Sequence, residues 1–276
     1  MWVLQKLRGV ATQKSWRKIM GVSKEICKQQ ALTRLGETRI MSCGEIAFII
    51  EYINATNIKV QFKTTKEIVN TTYLIFINGN VKSHFTPSVY GVGIVGLEKA
   101  TDINNKNINS YRCWHSMLTR CYTGKYPDYE DCSVCDEWLF YSNFKKWYDN
   151  NFYYIEGRKT ELDKDILFKG NRIYSPLNCI FTPKRINILF VTRKSKRGLY
   201  PIGVHWSKQK RKYFSQCRDD NNKTVLIGGF NNVKDAFMAY KKYKENIIKI
   251  IAEKYKGQIP TKLYETMIRY TVSITD

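Results

Sequence analysis

Apolar residues recur with two different periods along this chain, and each period keeps to its own segments. Ile46, Phe48 and Ile50, and then Ile58, Val60 and Phe62, recur at every second position, which predicts strands with one buried face. Three short strand-like runs follow later in the chain, over 202–207, 212–218 and 223–227. Over 111–121 and 233–251 apolar residues recur at the three-to-four-residue spacing of amphipathic helices. Short strands and helices that occupy separate segments predict an α+β fold.

These changes of period divide the chain of 276 residues into four segments, and the length suits two or three domains. We predict a basic helical arm over 1–40 and a small β module over 41–100. An aromatic-rich unit is predicted over 101–192. The last segment, 199–276, is predicted to be a three-stranded sheet packed on a helix and followed by C-terminal helices.

The β module ends in a glycine motif with more than one interpretation. Its first predicted strand carries Ile46, Phe48 and Ile50 at alternate positions. The run Gly91–Gly96 matches the dinucleotide-binding pattern G-x-G-x-x-G. That motif needs a helix N-terminus directly after the glycines to hold a pyrophosphate, and here a polar loop follows. We therefore expect these glycines to form tight turns.

Composition excludes several classes of protein. With 43% apolar residues the chain can bury a core, which excludes wholesale disorder. No apolar run approaches the roughly 20 residues that cross a bilayer, and the N-terminus carries no stretch typical of a signal peptide. We therefore expect a cytoplasmic protein that is not secreted and has no membrane partner. In a reducing compartment the eight cysteines are expected to be thiols.

The charge is strongly positive and concentrated in two places. Lys and Arg number 46 against 24 Asp and Glu, a net charge of +22, which indicates a polyanionic partner and most often nucleic acid. Residues 183–224 hold twelve basic and two acidic residues, a net charge of +10. The arm 1–40 holds nine basic and two acidic residues, which fits either a solvated helix or a phosphate-contacting arm.

Two groups of motifs fall in the aromatic-rich unit. The first group is Trp114-x-x-Met117-x-x-Arg120-Cys-Tyr, Cys132-x-Val134-Cys135-x-Glu137-Trp138 and Phe144. The second group is Leu162-Asp163-Lys164-Asp165-Ile166, Tyr174-Ser-Pro-Leu-Asn178-Cys179 and Thr182-Pro-x-x-x-Asn187. Over about 75 residues, these motifs resemble the HNH endonuclease superfamily, in the branch common among bacteriophage and mobile-element proteins.

The resemblance implies a ββα-metal unit that acts on double-stranded DNA with Mg²⁺ or a similar divalent cation. By position, Asp163 and Asn187 would hold the metal, and Asn178 would brace the ββα fold. Their oxygen donors suit Mg²⁺, which takes few protein ligands and completes its shell with water and phosphate oxygens. No small-molecule cofactor is expected.

Lys164 departs from the family, because it stands where the resemblance implies a water-activating histidine. A lysine is almost fully protonated at pH 7, and the carboxylates of Asp163 and Asp165 favour the charged form further. We therefore expect Lys164 to contact phosphate or the transition state rather than to act as a general base. His115 lies among the aromatics of the first helix and is expected to be a core or surface residue.

Cys132 and Cys135 form one C-x-x-C pair, which is half of a zinc site. A zinc site of this kind needs a second close pair of Cys or His, which the sequence lacks. We therefore do not expect structural zinc, and the two thiols are predicted to pack beneath Trp138.

A third group of motifs lies in the C-terminal segment. It consists of Gly203-Val204-x-Trp206, Arg211-Lys-Tyr213-x-x-Gln216, Gly228-Gly229-Phe230 and Asp235-Ala236-x-x-Ala239-Tyr240. Over about 50 residues these motifs resemble the integrase-like DNA-binding domain of ethylene-response-factor (Apetala-type) transcription factors, which phage homing nucleases also carry. The resemblance implies a sheet face in the major groove with a helix packed behind it. The residues that would contact DNA by position are Trp206, Lys208, Lys210, Arg211, Lys212, Gln216 and Arg218.

The chemistry of these residues agrees with a DNA-reading sheet. Alternation places Lys212, Phe214 and Gln216 on one strand face and Tyr213 and Cys217 on the other. In the major groove Arg reads guanine and Gln reads adenine, while Lys mostly contacts phosphate. A solvated basic face without a partner is the alternative. The basic link before the sheet adds four further DNA-binding candidates: Arg193, Lys194, Lys196 and Arg197.

Together the segments predict a sequence-recognising DNA endonuclease of homing or mobile-element type, in a bacterial or phage-infected cell. The central unit would hydrolyse phosphodiester bonds with metal assistance, and the C-terminal sheet would select the site. The alternative is a non-catalytic DNA-binding regulator on a degenerate HNH scaffold, and Lys164 keeps it open. An RNA-binding function is less favoured because no stacking motif of RNA-binding sheets is present. No oligomeric state follows from the sequence.

Overall fold

The computed structural model describes residue 25, residues 28–191 and residues 198–276. Most of the predicted basic arm lies outside these residues, and so do the predicted DNA contacts Arg193, Lys194, Lys196 and Arg197. The chain divides into two compact units, one reaching to Ala100 and including Phe140–Ser142, the other Thr101–Leu139 with Asn143–Asp276. Among the described residues, no helix has the length and apolar character needed to cross a bilayer.

The first unit contains a four-stranded antiparallel sheet in the order β1–β2–β3–β4. The elements are β1 (Thr38–Ile40), β2 (Ile46–Asn54), β3 (Asn57–Phe62), β4 (Ile68–Thr71) and a short helix, α1 (Tyr73–Ile77). Thr72 caps α1, because its side chain accepts a hydrogen bond from the backbone N–H of Ile75. Phe76 of α1 is fully buried in the core of this sheet.

The buried face of this sheet is set by strand pairing. On β3 the predicted alternation is confirmed, with Val60 and Phe62 fully buried. On β2 the buried residues are Ala47 and Ile49, whereas Ile46 is 37% exposed. Ala47 pairs with Phe62 and Ile49 with Val60, and residues directly opposite each other share a face. The apolar residues at even positions of β2 therefore lie on the other, more open face.

The glycine motif of the first unit forms turns. Val89 and Gly93 make a β-bridge around Gly91, whose φ of +73° lies in the left-handed region that favours glycine. Gly96 has a φ of +71° as well. The next helix along the chain begins only at Asn109. The predicted tight turns are confirmed, and the glycines do not lead into the helix N-terminus that a dinucleotide site needs.

The second unit opens with aromatic-rich helices. Its first elements are α2 (Asn109–Tyr122), a 3₁₀ turn (Pro127–Tyr129), β5 (Ser133–Val134), α3 (Asp136–Leu139) and, from Asn143 onward, α4 (Tyr141–Asn151). Trp114 and Trp138 are fully buried, and Trp114 donates its indole N–H to the carbonyl of Trp138 at 2.7 Å. The Trp138 ring meets that of Phe144 edge-on, with centroids 5.0 Å apart. These aromatics form a core, as the helical spacing predicts.

Three strands and a helix follow, and two of the strands pair with each other and form a strand–strand–helix element with the helix. The elements are β6 (Thr160–Asp163), β7 (Ile173–Tyr174), β8 (Ile180–Pro183) and α5 (Lys184–Phe190). β6 and β8 pair antiparallel, with Asp163 opposite Ile180. β7 lies in the long connection between them and pairs in parallel with β5. Ile186 on α5 is fully buried and anchors the helix against the core.

The C-terminal segment is a three-stranded antiparallel sheet in the order β11–β10–β9, backed by a long helix. The elements are β9 (Val204–Ser207), β10 (Lys212–Arg218), β11 (Thr224–Phe230), α6 (Val233–Tyr255) and α7 (Thr261–Arg269). Phe237 and Tyr240 of α6 pack with Cys217 of β10. Gly203 permits this packing, because a Cβ there would lie 2.0 Å from the Tyr240 ring. The predicted sheet on a helix is confirmed.

Helix α6 also packs on the strand–strand–helix element. Ile186 and Leu189 of α5 share one buried cluster with Ile248 and Ile251 of α6 and Leu263 of α7. The predicted segments 101–192 and 199–276 therefore meet in a common apolar core within the second unit. Burial of this kind is the main stabilising contribution to a fold of this size.

Candidate nucleic-acid interface and active site

The alternation of side chains along β10 shows which face of the C-terminal sheet is turned to solvent. Lys212, Gln216 and Arg218 are exposed, whereas Ser215 and Cys217 are buried. Cys217 faces the core that α6 covers, so the side chains of opposite parity point away from the helix. Three of the predicted DNA contacts therefore lie on one solvent-facing strand surface, which we call the outer face.

The outer face also carries a pair of aromatic rings. His205 of β9 lies opposite Phe214 of β10, and their rings stack at 25° with centroids 5.9 Å apart. The ammonium of Lys210 lies 5.5 Å from the centroid of the Phe214 ring. On the other side Phe214 faces Gly229, where a Cβ would approach the ring to 3.0 Å. His205 was not among the predicted contacts, but its pairing with Phe214 places it on the outer face.

Trp206 lies apart from the other predicted contacts of the sheet. It pairs with Tyr213 across β9 and β10, and the two rings have centroids 4.6 Å apart. Tyr213 in turn meets the ring of Tyr200 at 5.5 Å. Directly paired residues point to the same face, so Trp206 is on the Tyr213 side rather than on the side of Gln216. The indole is nevertheless 36% exposed.

The basic residues of the sheet and its turns are free of acidic partners. Within the described part of the chain none of six basic side chains forms a salt bridge: Lys208, Lys210, Arg211, Lys212, Arg218 and Lys223. All six are exposed. Arg211 has a φ of +49° in the β9–β10 turn, which places it in a left-handed conformation. Exposed, unpaired charges of one sign attract a polyanion.

Asp219 and Asp220, the two acidic residues in the β10–β11 turn, bind groups other than the basic side chains of the sheet. Asp220 pairs with Lys254 of α6, and this hydrogen-bonded ion pair holds the pKa of Asp220 below its usual range. Asp219 accepts the backbone N–H groups of the turn that joins β10 to β11. Arg185 of α5 donates to the carbonyl oxygens of both residues, at 3.0 and 2.9 Å. The β10–β11 turn is thus fastened to α5 and α6, and the outer face keeps its positive charge.

Asp163 ends strand β6 and caps the loop that follows. Its Oδ1 accepts backbone N–H groups from Asp165 at 2.9 Å and from Ile166 at 2.7 Å. Burial, followed by the nearby Asp165 charge, raises the pKa of Asp163 from 3.8 to about 6, against the lowering effect of these hydrogen bonds and of Lys164. A partly buried carboxyl group with a raised pKa is a feature typical of functional sites.

Asn187 of α5 reaches β6 through Glu161. Its Nδ2 donates to Glu161 Oε2 at 3.1 Å, which leaves the amide oxygen of Asn187 available as an acceptor or ligand. Glu161 and Asp163 are two positions apart on β6, so their side chains leave the same face of the strand. Glu161 is a site residue that the motifs did not indicate, although this alternation was visible in the sequence.

The side chain of Lys164 is buried and therefore not accessible to a DNA phosphate. Only 9% of its side chain is exposed, and its ammonium lies 3.3 Å from Asp165 Oδ2. The same ammonium is 5.6 Å from the ring centroid of Tyr129 and 6.0 Å from that of Tyr174. Lys164 is buried directly after the end of β6, whereas Asp163 is partly exposed. In this arrangement Lys164 is a buried structural residue, which corrects the expected phosphate contact.

Asn178 stabilises the long connection between β6 and β8. Its Nδ2 donates to Asn171 Oδ1 at 3.0 Å. Asn171 in turn donates to the carbonyl oxygens of Lys164 and Ile173, both at 2.8 Å. Through Asn171, the side chain of Asn178 therefore reaches the backbone next to Asp163. Asn171 was not among the residues predicted for the site from the sequence.

The cysteines and histidines of the second unit are mostly engaged in packing. Burial raises the pKa of Cys113 to about 12 and that of Cys121 to about 11, so both are protonated thiols at neutral pH. Cys132 is buried, and Cys135 is partly so. His115 stands on α2 with its ring 5.9 Å from that of Tyr111. Within the described residues no three side chains of His, Cys, Asp or Glu are placed to hold a metal ion.

Comparisons of this chain with protein-family models, with curated proteins and with solved structures found no match. Two surfaces of the described residues carry candidate functional groups. One is the outer face of the C-terminal sheet, and the other is the group formed by Glu161, Asp163 and Asn187, which we call the carboxylate site.

Proposed function

We propose that this protein is a sequence-recognising DNA endonuclease, in which the outer face binds duplex DNA and the carboxylate site acts on the backbone. The observation that carries the proposal is the set of six exposed basic side chains around the sheet that form no salt bridge among the described residues. Cations that are exposed and unpaired in the free protein gain most from neutralising phosphates, because counterions are then released from the DNA.

The outer face has the chemistry needed to read bases as well as to hold phosphates. A two-stranded or three-stranded β surface fits the major groove. Gln216 has an amide that matches the edge of adenine, and Arg218 has a guanidinium that matches guanine. Arg218 Nη1 already donates to Asn222 Oδ1 at 3.1 Å, which pre-orients the side chain. Lys208, Lys210 and Lys212 supply phosphate contacts that position the sheet without selecting a sequence.

A hard divalent cation such as Mg²⁺ fits the carboxylate site by its donor chemistry. Asp163 uses Oδ1 for two backbone N–H groups and has Oδ2 left over, and Asn187 keeps its amide oxygen. Mg²⁺ takes one or two carboxylates and otherwise waters and phosphate oxygens, so a site of few protein ligands suffices. When bound, the ion supplies Lewis-acid polarisation of the phosphate and an activated water.

The chain's own residues prepare this site in three ways. The two backbone N–H groups on Asp163 Oδ1 fix the direction of the carboxylate. Glu161 fixes the amide plane of Asn187 by accepting its N–H. The buried Lys164 lies beside Asp165 and provides a positive charge behind the loop, which favours the ionised form of Asp163.

A non-catalytic DNA-binding regulator is a second candidate function, and one observation favours it. In the described structure the side chain at the expected general-base position, Lys164, is buried against Tyr129 and Tyr174. It is therefore not poised to take a proton from water at the face of Asp163. A regulator would use the outer face in the same way and would leave the DNA intact.

Incubation of the purified protein with supercoiled and linear duplex DNA tests the proposal, with Mg²⁺, Mn²⁺ or EDTA present. We expect nicking or cutting by the wild type with metal, and at least 100-fold less by the Asp163→Ala variant. Binding of duplex DNA without cleavage in any of these conditions would support the regulator. Absence of both binding and cleavage would contradict both functions.

A further inference from the structure

A cavity of about 430 Å³ lies between the loop after Asp163 and helix α7. Ile166, Leu167 and Lys169 line it from the loop, and Lys262 and Arg269 line it from α7. Its volume falls in the range of sites that hold small molecules or segments of larger ones. Three cationic side chains line it against one carboxylate, that of Glu265, so its chemistry suits an anion.

Two of these three cations are available to a ligand. Lys169 is already occupied, because its ammonium pairs with Asp276 and lies 5.1 Å from the Tyr270 ring. Lys262 forms no salt bridge among the described residues. Its ammonium donates one long hydrogen bond to the carbonyl oxygen of Leu177, at 3.4 Å, and lies 5.5 Å from the centroid of the Phe168 ring. The Arg269 side chain is 79% exposed and only loosely paired, 3.6 Å from Glu265. Surface pairs of this kind contribute little and are readily exchanged for a phosphate.

The cavity lies close to the carboxylate site. Ile166 lines the cavity and donates its backbone N–H to Asp163 Oδ1 at 2.7 Å. Three residues of extended chain span at most about 10 Å. One strand of a DNA duplex rises about 3.4 Å per nucleotide along the helix axis, so a distance of about 10 Å reaches the phosphate next to the one at Asp163. A strand whose phosphodiester lies at Asp163 therefore has further phosphates within reach of the cavity.

We propose that this cavity, which we call the α7 groove, binds backbone phosphates of the DNA strand that passes the carboxylate site, through Lys262 and Arg269. The proposal rests on the proposed DNA-binding function and extends it to a surface outside the C-terminal sheet. The groove would add contacts that carry no sequence information but hold the strand in place at Asp163. The α7 groove would then hold the DNA strand at the carboxylate site, while the outer face selects the DNA sequence.

The test compares the salt dependence of duplex binding for three proteins by fluorescence anisotropy. They are the full-length wild type, the Lys262→Gln/Arg269→Gln variant and the Lys242→Gln/Lys249→Gln variant. The control pair removes the same charge from exposed positions of α6 that do not line the cavity. Each lost phosphate contact lowers the slope of log K against log[salt] by about 0.9. We expect the groove variant to lose about 1.8 from the slope and the control to keep the wild-type value.

The outcomes separate the groove from the proposed function. If the wild type binds duplex DNA and both double variants keep its slope, the groove is overturned while the outer face stands. If the wild type does not bind duplex DNA, the proposed function fails and the groove proposal fails with it. A titration with inorganic phosphate, followed by thermal unfolding, forms a second arm. Stabilisation by phosphate that the groove variant loses, with no change in DNA slope, would identify a small-anion site and overturn the DNA assignment.

Discussion

Asn187 donates a hydrogen bond from Nδ2 to Oε2 of Glu161 across 3.1 Å, which joins helix α5 to strand β6 on the face that also bears Asp163. Because Nδ2 is held by Glu161, the amide oxygen of Asn187 points away from Glu161. It also makes Glu161 a positioning residue for the amide oxygen that the proposed metal would use. Residues that orient a metal ligand typically change metal affinity or activity by 10–100-fold when they are replaced.

Replacement of Glu161 by Gln should separate positioning from folding. The Gln amide still offers an oxygen to Asn187 Nδ2, so we expect the melting temperature to change by less than about 2 °C. Because the charge beside the site is lost, Mn²⁺ affinity should fall by about 10-fold, as measured by titration calorimetry or by electron paramagnetic resonance of free Mn²⁺. Lys159→Gln is the control, since Lys159 is 74% exposed and 3.8 Å from Glu161. Equal affinities for all three proteins would exclude Glu161 from the site.

Asp163→Asn should stabilise the protein at neutral pH. The pKa of Asp163 rises from 3.8 to about 6 in the folded chain, so between these values the folded state holds more protons than the unfolded one. Stability therefore falls as pH rises through this window. The Asn side chain keeps the acceptor for Asp165 and Ile166 without the charge, so we expect a gain of about 1–3 kcal/mol at pH 7.

Urea denaturation at pH 4 and pH 7 checks this expectation. The difference between Asp163→Asn and wild type should be small at pH 4, where the folded wild type is protonated as well. Added Mg²⁺ should stabilise the wild type at pH 7 and leave the variant unchanged, since ligands that bind only the folded state stabilise it. A variant that is less stable than the wild type at pH 7 would contradict a buried charge that destabilises the folded state at this position.

Substitutions on the outer face should change specificity and general affinity separately. Gln216→Ala and Arg218→Ala should each cost about 1–3 kcal/mol on the preferred duplex and relax selection at a single base position. Lys212→Ala should weaken binding to all duplexes alike. Selection from a randomised duplex pool, followed by sequencing, measures both effects. Identical sequence preferences for the wild type and the Gln216 variant would remove Gln216 from base reading.

Gly203 should tolerate no side chain, because it lies against α6. Its φ is +79°, and an added Cβ would lie 2.0 Å from Tyr240 Cδ2. We expect Gly203→Ala to destabilise the second unit by about 3 kcal/mol or more, from overpacking and backbone strain together. Gly257→Ala isolates the backbone part, since its φ is +76° and its surroundings are open. That control should cost only about 1 kcal/mol by thermal or urea unfolding, and equal losses would refute the steric argument.

The periodic elements of the C-terminal segment were predictable from sequence because their alternation is strong. Lys212, Gln216 and Arg218 alternate with buried residues along β10 as expected. The stripe of α6 is buried at Phe237 and Ile251, as the helical spacing predicts. In both segments most charged residues fall on the exposed side of the element and most apolar residues on the buried side, so one pattern identifies both the element and its buried face.

Where both parities are apolar, the sequence does not identify the buried face. In β2, Ile46, Phe48 and Ile50 alternate, yet pairing with β3 buries Ala47 and Ile49 instead. A one-position shift in strand parity moves every side chain to the other face. Only the register of β2 against β3 selects which of the two faces is buried, and that register is set by contacts between two strands.

The site residues show a similar division between local and long-range information. A lysine is expected to be exposed, but Lys164 is buried, with its ammonium near the rings of Tyr129 and Tyr174, which come from two other elements. Trp206 aligns with the DNA-contacting residues in its motif, but its pairing with Tyr213 turns it to the other face. Packing across the chain decides both cases, and no local pattern contains that information.

The most direct test of the central claim is end-mapping on a randomised duplex pool. Full-length protein is incubated with the pool and Mg²⁺, and the 5′ ends that it creates are sequenced. For the wild type we expect DNA ends at a constant distance from a recurring sequence motif. The Asp163→Ala variant should create no such ends. The Gln216→Ala variant should create ends at scattered positions or next to a different motif. Ends that occur without any motif, or that remain unchanged in the Asp163→Ala variant, would contradict a sequence-recognising nuclease centred on Asp163.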